Sequence, residues 1–176
     1  GPSADEVWAR YYIEHSLHDL YHWAETLGVK WVDMKPQEGN SVVRWTRAEQ
    51  SGLGLTTHLI DGFRAKGGEI VTNTRITKIK TADGRVTGVE GVNSKTGEKI
   101  DVSAKTVLVT SGGFNSNIDM VLEARPELGN DKVMEGSGRG STGDGHRMVR
   151  DLGGYLTHLD HIWFYVYATP DYLDPA

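Results

Sequence analysis

A chain of 176 residues with 38% hydrophobic and 24% charged side chains has an ordinary globular make-up, able to bury roughly 70% of its extended-chain surface on folding. It has no apolar run of about 18 residues, no secretory leader pattern and no cysteine, which excludes a membrane-spanning helix, a disulfide framework, thiolate metal sites and a cysteine nucleophile. A net charge of −5 with no stripe of Lys and Arg argues against nucleic acid, so the expectation is a soluble, cytoplasmic protein. Gly1-Pro2 resembles a scar of tag removal and the last residues, Pro170 to Ala176, stop in a turn-like stretch; an excised fragment, with newly exposed apolar surface and a tendency to self-associate, is expected.

The spacing predicts a long amphipathic helix over 4–27, opened by a capping box at Ser3-Ala-Asp-Glu6 and carrying Trp8, Tyr11, Tyr12, Leu17, Leu20, Trp23, Ala24 and Leu27. A short strand is expected over 29–34 and an irregular loop over 35–50. Leu53, Leu55, Leu59, Ile60 and Phe63 mark a second helix, ended by Gly67-Gly68 as a left-handed cap that leads straight into a strand. The period then becomes two: strands over 70–79, 86–92 and 100–104, separated by turns at Ala82-Asp-Gly84 and Ser94-Lys-Thr-Gly97, form an antiparallel meander. Val107 to Val109 is continuously apolar, the pattern of a strand covered on both faces. A helix follows from Asn115 to Arg125, stopped by Pro126, and a last helix runs from about Gly145 to Leu152 with Asp144 as its N-cap and Gly153-Gly154 as its stop.

Two glycine clusters carry the chemistry. The apolar run at Lys105 to Val109 ends in Thr110-Ser-Gly-Gly113, where backbone can come very close to a partner. Gly138-Arg-Gly-Ser-Thr-Gly143 has the spelling G-x-G-x-x-G but lacks the preceding strand of a dinucleotide fingerprint. What survives of it is Thr142-Gly-Asp-Gly145 at a helix start, with backbone N–H groups and one carboxylate at the positive end of the helix dipole.

Taken in succession, Gly54 to Lys80, Gly88-Val-Glu-Gly-Val92, Ala104 to Phe114 with Asn117 and Met120, and Ser141-Thr-Gly-Asp-Gly-His-Arg-Met148 resemble blocks of the succinate dehydrogenase/fumarate reductase flavoprotein superfamily, which includes aspartate oxidases and ketosteroid dehydrogenases. The resemblance covers most of residues 53–165. It implies an α/β fold: part of a Rossmann-like FAD-binding domain with a three-stranded antiparallel meander and packed helices, in which 1–125 is the middle of that domain, 126–140 a remnant of a mobile cap or a linker, and 141–176 the return. It also implies FAD, covalent or not, with hydride passing between flavin N5 and a carbon–carbon bond next to a carbonyl in a small-molecule substrate. Backbone around Ile76 would touch the adenine end, Thr110, Ser111 and Gly112 would lie along the cofactor, and Asp144 would hydrogen-bond to it.

Two departures qualify that picture. The superfamily's N-terminal G-x-G-x-x-G strand, its ribose-gripping acid and the arginine that serves as acid in fumarate reductases do not occur in these 176 residues, so the isolated chain is expected to bind FAD weakly and to lack activity. In Leu159-Asp-His-Ile-Trp-Phe-Tyr165, Tyr165 stands where dicarboxylate-reducing members place a histidine, while Trp163-Phe164 resembles the paired aromatics after an acidic residue in ketosteroid-dehydrogenase-like members, and an aromatic wall suits an apolar substrate. The other reading of Trp163 and Tyr165 is of core residues on alternating strand faces. His15, His18, Asp19 and His22 share one helical face, the spacing of metal ligands, yet solvated faces carry the same stripe, and no metal is expected. Ser111 lacks the surrounding G-x-S-x-G turn of a hydrolase. A functional alternative of another class is a stand-alone binding or assembly module without cofactor.

Overall fold

The computed structural model describes residues 4–36, 41–43, 45–129 and 138–162. The fold is mixed α/β, and the chain divides into two compact units, Gly1–Thr72 and Asn73–Ala176.

In the first unit, helix α1 (Glu6–Ser16) begins at Asp5, whose carboxylate accepts from the N–H groups of Val7 and Trp8 at 2.9 and 3.0 Å. A carboxylate satisfies these orphan donors more strongly than a hydroxyl and also meets the helix dipole, so the cap is Asp5; Ser3 lies outside the described residues. The helical path continues to Thr26 as foreseen, but not as one α-helix. Residues Leu17–His22 form a π-helical turn before α2 (Trp23–Thr26). The looser turn is anchored by a side chain, because Trp31 Nε1–H donates to the Tyr21 carbonyl at 3.3 Å while the two rings stack at 5.0 Å. Strand β1 (Trp31–Lys35) pairs antiparallel with β2 (Trp45–Ala48), which corrects the expectation of an irregular loop over 35–50.

Helix α3 (Ser51–Ala65) closes on Gly67, at φ +81°, with Gly67 N–H donating to Arg64 O at 2.9 Å and Gly68 N–H to Phe63 O at 3.0 Å. This is the Schellman arrangement that the Gly67-Gly68 pair announces. Ala24, Val29 and Ala48 form the unit's core, with Trp31 and Leu55 packed against it. The aromatic and aliphatic side chains of α1 and of the residue after it do not join it: Trp8, Tyr12, Ile13 and Leu17 are all more than 60% exposed. The apolar stripe expected to seat this helix is therefore at the surface.

The second unit is built on a three-stranded antiparallel sheet in the order β3 (Thr74–Ala82), β4 (Arg85–Asn93), β5 (Lys99–Ser103). The meander is the one expected, although its first strand begins at Thr74 rather than Ile70. Asn73 sits at φ +55° and interrupts the extended path between Gly68 and the sheet. Asp83 and Gly84, at φ +51° and +72°, make the tight β3–β4 connection with the backbone twist that antiparallel strands require. Asn93 opens the second turn, its side-chain oxygen accepting from Lys95 N–H and Thr96 N–H.

Beyond the sheet, α4 (Ile118–Ala124) is capped by Asn117, whose Oδ1 accepts from Met120 N–H at 3.2 Å, and Pro126 opens a 3-10 turn (Pro126–Leu128) as α4 ends. Helix α5 (Asp144–Asp151) starts on Gly143 in the left-handed conformation, φ +76°. Asp144 is thus the first residue of the helix and not its cap, and its carboxylate is used elsewhere. Ile79, Phe114 and Val121 are the buried hydrophobic residues described in this unit, Val121 at 1% exposure. No described helix is long and apolar enough to cross a membrane.

Candidate functional site

Residues 105–113 connect the sheet to the Phe114–Ala124 region without regular structure and pair with no described strand, and Leu108 is 85% exposed. The expectation of a strand buried on both faces over 107–109 is not met. An apolar β-branched run becomes a strand only where neighbouring backbone accepts its hydrogen bonds, and the described residues supply none here. What this segment does meet is the start of α5. Val109, Thr110, Ser111 and Gly112 form one side of an open groove of 450 Å³, and Gly145, His146, Val149 and Leu156 form the other.

Main-chain and side-chain hydrogen bonds fasten the two glycine clusters together. Gly143 N–H donates to Gly113 O at 3.1 Å, Ser116 N–H to Ser141 O at 3.0 Å, and Asn117 Nδ2–H to Thr142 O at 3.2 Å. Ser116 Oγ–H adds a bond to Gly138 O at 2.7 Å. Asn117 thus caps α4 with one end of its amide and holds the second cluster with the other. Sequence spacing marks Asn117 as a helix start; its second bond spans 25 residues and has no local signature.

The glycines of the two clusters divide into two kinds. A Cβ at Gly145 would lie 2.2 Å from Ser111 Oγ and 2.8 Å from Val109 Cγ1, and one at Gly143 would lie 2.4 Å from Met120 Sδ. Protein packing explains their bareness. Gly113, Gly138 and Gly140 would meet nothing within 4 Å, and Gly112, at φ +78°, only Ser141 Oγ at 4.0 Å. Thr110 to Gly113 are exposed as well. Bare backbone facing open space, beside a groove, fits a flat ring system laid against the main chain.

Asp144, next in sequence to the groove-lining Gly145, has both carboxylate oxygens engaged. Arg75 Nη2 on β3 reaches Oδ2 at 2.8 Å, and Arg147 pairs with Oδ1 from one turn further along α5. Arg147 Nη1 also lies 3.4 Å from Met120 Sδ. Arg75 precedes Ile76, so the ion pair brings the strand position expected near the adenine end to the helix start expected to touch the cofactor. Thr110, Ser111 and Gly112 line the groove, whereas Asp144, beside the lining Gly145, and Ile76, beside Arg75, are not part of its lining. Trp163 and Tyr165 lie outside the described residues. Arg75, Arg147 and His146, whose ring meets that of Phe114 edge-on at 5.3 Å, were not among the residues singled out from sequence; nothing local marks a strand arginine as the partner of a carboxylate 69 positions on (144 − 75).

The histidine stripe of the first unit resolves into carboxylate pairs. His15 and His18 both turn their Nδ1 to Asp19, at 3.2 and 2.8 Å, and His22 turns to Glu25 at 2.8 Å. The contact with His18 above all, and that with His15, hold the Asp19 carboxyl below its ordinary range. Among the described residues no group of three or more His, Cys, Asp or Glu is placed to hold a metal ion.

Residues 2–176 match the FAD binding domain family. This chain belongs to that family. FAD is the family's cofactor, and the resemblance to fumarate reductase flavoproteins is upheld by the relatives. Urocanate reductase of Eggerthella lenta is 34% identical over 147 residues, covering 78% of this chain and 23% of its own length. NADH:fumarate oxidoreductase of Klebsiella pneumoniae is 28% identical over 157 residues, 87% of this chain and 16% of that protein. The structure of the open conformation of a flavocytochrome c3 fumarate reductase superposes with a TM-score of 0.69 at 28% identity, over 78% of this chain and 24% of the other. The chain spans about a quarter or less of these relatives.

Proposed function

We propose that the groove between Thr110–Gly113 and the start of α5 is one wall of an FAD site in a flavin-dependent oxidoreductase that acts on a carbon–carbon bond next to a carbonyl. The carrying observation is Gly113: exposed beside the groove, with no positive φ and no protein atom within 4 Å of where a Cβ would stand, it has no packing or backbone reason to lack a side chain. Bound there, FAD would supply the hydride chemistry. Thr110 to Gly113 would lie along it, Gly145 would let the helix start close in, and Ile76 would lie toward the adenine end. The urocanate and fumarate reductases among the relatives support an unsaturated carboxylate or related carbonyl compound as substrate. Trp163 and Tyr165 are proposed as its lining, and residues 126–140 as the junction with a cap. We also propose that the exposed apolar side chains of α1 drive self-association of the isolated chain.

Gly113→Ala tests the cofactor reading directly. A Cβ there meets no protein atom, so stability should stay within about 0.5 kcal/mol of wild type, as for a surface substitution free of special contacts. FAD affinity, followed by quenching of flavin fluorescence or by amide shifts of residues 110–113 and 143–146, should fall about tenfold, a loss of roughly 1.4 kcal/mol. Unchanged FAD titrations in the alanine variant, or no shift of those amides in wild type at millimolar FAD, would sink the assignment.

A further inference from the structure

We propose that Arg75 is a positioning residue of this site: by holding Asp144 it fixes the start of α5 against Gly113 and sets the width of the groove. The proposal rests on the FAD reading only for what fills that groove.

The geometry carries it in three steps. Ser116 and Asn117 tie residues 138–142, just before α5, while the helix start itself meets the first cluster through the backbone bond from Gly143 N–H to Gly113 O, with no side chain on Gly143 or Gly145 to add a directional bond. A polar side-chain tie on the helix proper has to come from its next residues. The one carboxylate in the first turn of α5 is turned to two arginines, and of these only Arg75 belongs to another element, since Arg147 lies within α5 itself. Finally, the β3–β4 register slips between Ile76 and Lys78, immediately after Arg75. Such irregularities bend a strand and re-aim its side chains, and here the affected end of β3 is the one that points an arginine at α5.

The effect should be local. Arg75 is 62% exposed, and an ion pair with so exposed a partner contributes little to global stability. Its planar guanidinium can present two donors in a fixed fork, whereas lysine offers a single mobile charge, so lysine should recover part of the function and an uncharged residue none.

The test uses the whole 176-residue chain with Arg75→Gln and Arg75→Lys, followed by amide hydrogen exchange, thermal melting and FAD titration. The expected result for Arg75→Gln is exchange of the Gly143 amide faster by about threefold and FAD binding weaker by a similar factor, the size that loss of an exposed pair allows, with the melting temperature unchanged within about 2 °C. Arg75→Lys should restore at least half of both effects, and about 0.5 M NaCl should loosen the wild-type chain in the same direction. Wild-type exchange at Gly143 in Arg75→Gln overturns the proposal. So does a general fall in stability, with faster exchange throughout β3 to β5 that lysine does not rescue, because that is the signature of a merely structural residue. If wild type takes up no FAD, that result counts against the cofactor reading alone, and the exchange comparison still decides the role of Arg75.

Discussion

At the scale of single residues, the two kinds of glycine make opposite predictions. Gly145 lies in the first turn of α5, where alanine would gain about 1 kcal/mol of helix propensity. Its Cβ, however, would sit 2.2 Å from Ser111 Oγ, and forcing an atom into packed surroundings costs about 1–3 kcal/mol. The clash wins, and Gly145→Ala is expected to destabilise the second unit by about 1 kcal/mol in urea unfolding. Adding Ser111→Gly removes the nearest obstacle and should recover part of that loss, a coupling that a double-mutant cycle reads directly. Gly112→Ala differs from both Gly145→Ala and Gly113→Ala. No atom blocks the Cβ, but φ +78° costs an alanine about 1–2 kcal/mol, so it should lower stability and FAD affinity together. The order expected for loss of stability is Gly113→Ala smallest, with Gly112→Ala and Gly145→Ala clearly larger.

At the scale of elements, the β1–β2 hairpin carries an acid-sensitive fastening. Asp33 accepts chiefly from Lys35, whose Nζ lies 3.0 Å away, and also from Arg47 at 3.4 Å across the hairpin, and these cations hold its carboxyl below the ordinary value of 3.8. A carboxyl depressed in the folded state stabilises that state at pH above its unfolded pKa, and the contribution disappears as pH falls through the folded value. Acid should therefore loosen the hairpin below about pH 4, and Asp33→Asn should flatten this limb in the fluorescence of Trp31 and Trp45. Much at this scale was legible in the sequence. Gly67-Gly68, Asp83-Gly84 and Pro126 act through backbone geometry that belongs to the residue itself, and each does in the structure what its chemistry dictates. Strand β2 was not legible, because Trp45-Thr-Arg-Ala is short and its pairing with β1 is a property of two segments. The π turn escaped for a related reason: a hydrophobic period of 3.6 and one locally stretched by a residue differ too little over six positions. The Arg75–Asp144 pair, central to the site, is a non-local contact and left no trace in either segment alone.

For the molecule as a whole, the division at Thr72 and Asn73 predicts that unfolding is not a single transition. Amide exchange should sort into two protection classes that meet near residue 73, and Val121→Ala, which opens a cavity in the second unit, should lower the protection of that class alone by about 1–3 kcal/mol. Sedimentation of the whole chain should depend on concentration, and Trp8→Glu with Leu17→Lys should abolish that dependence by charging the exposed side of α1. The π turn at Leu17–His22 has its own consequence for how this helix tolerates change in length. A π turn is an α turn with one residue too many, so deleting a single residue there would make the helix regular and longer-range regularity would be gained. The wide turn already takes up the extra residue, so α1 would keep about its present facing relative to α2, whereas the same deletion in a regular α-helix would turn it by about 100°. The solvent-facing aromatics of α1 would stay on their side of the axis while Ala24 kept its place in the core, so a one-residue deletion, ordinarily ruinous in a helix, becomes here a change of length that the helix absorbs.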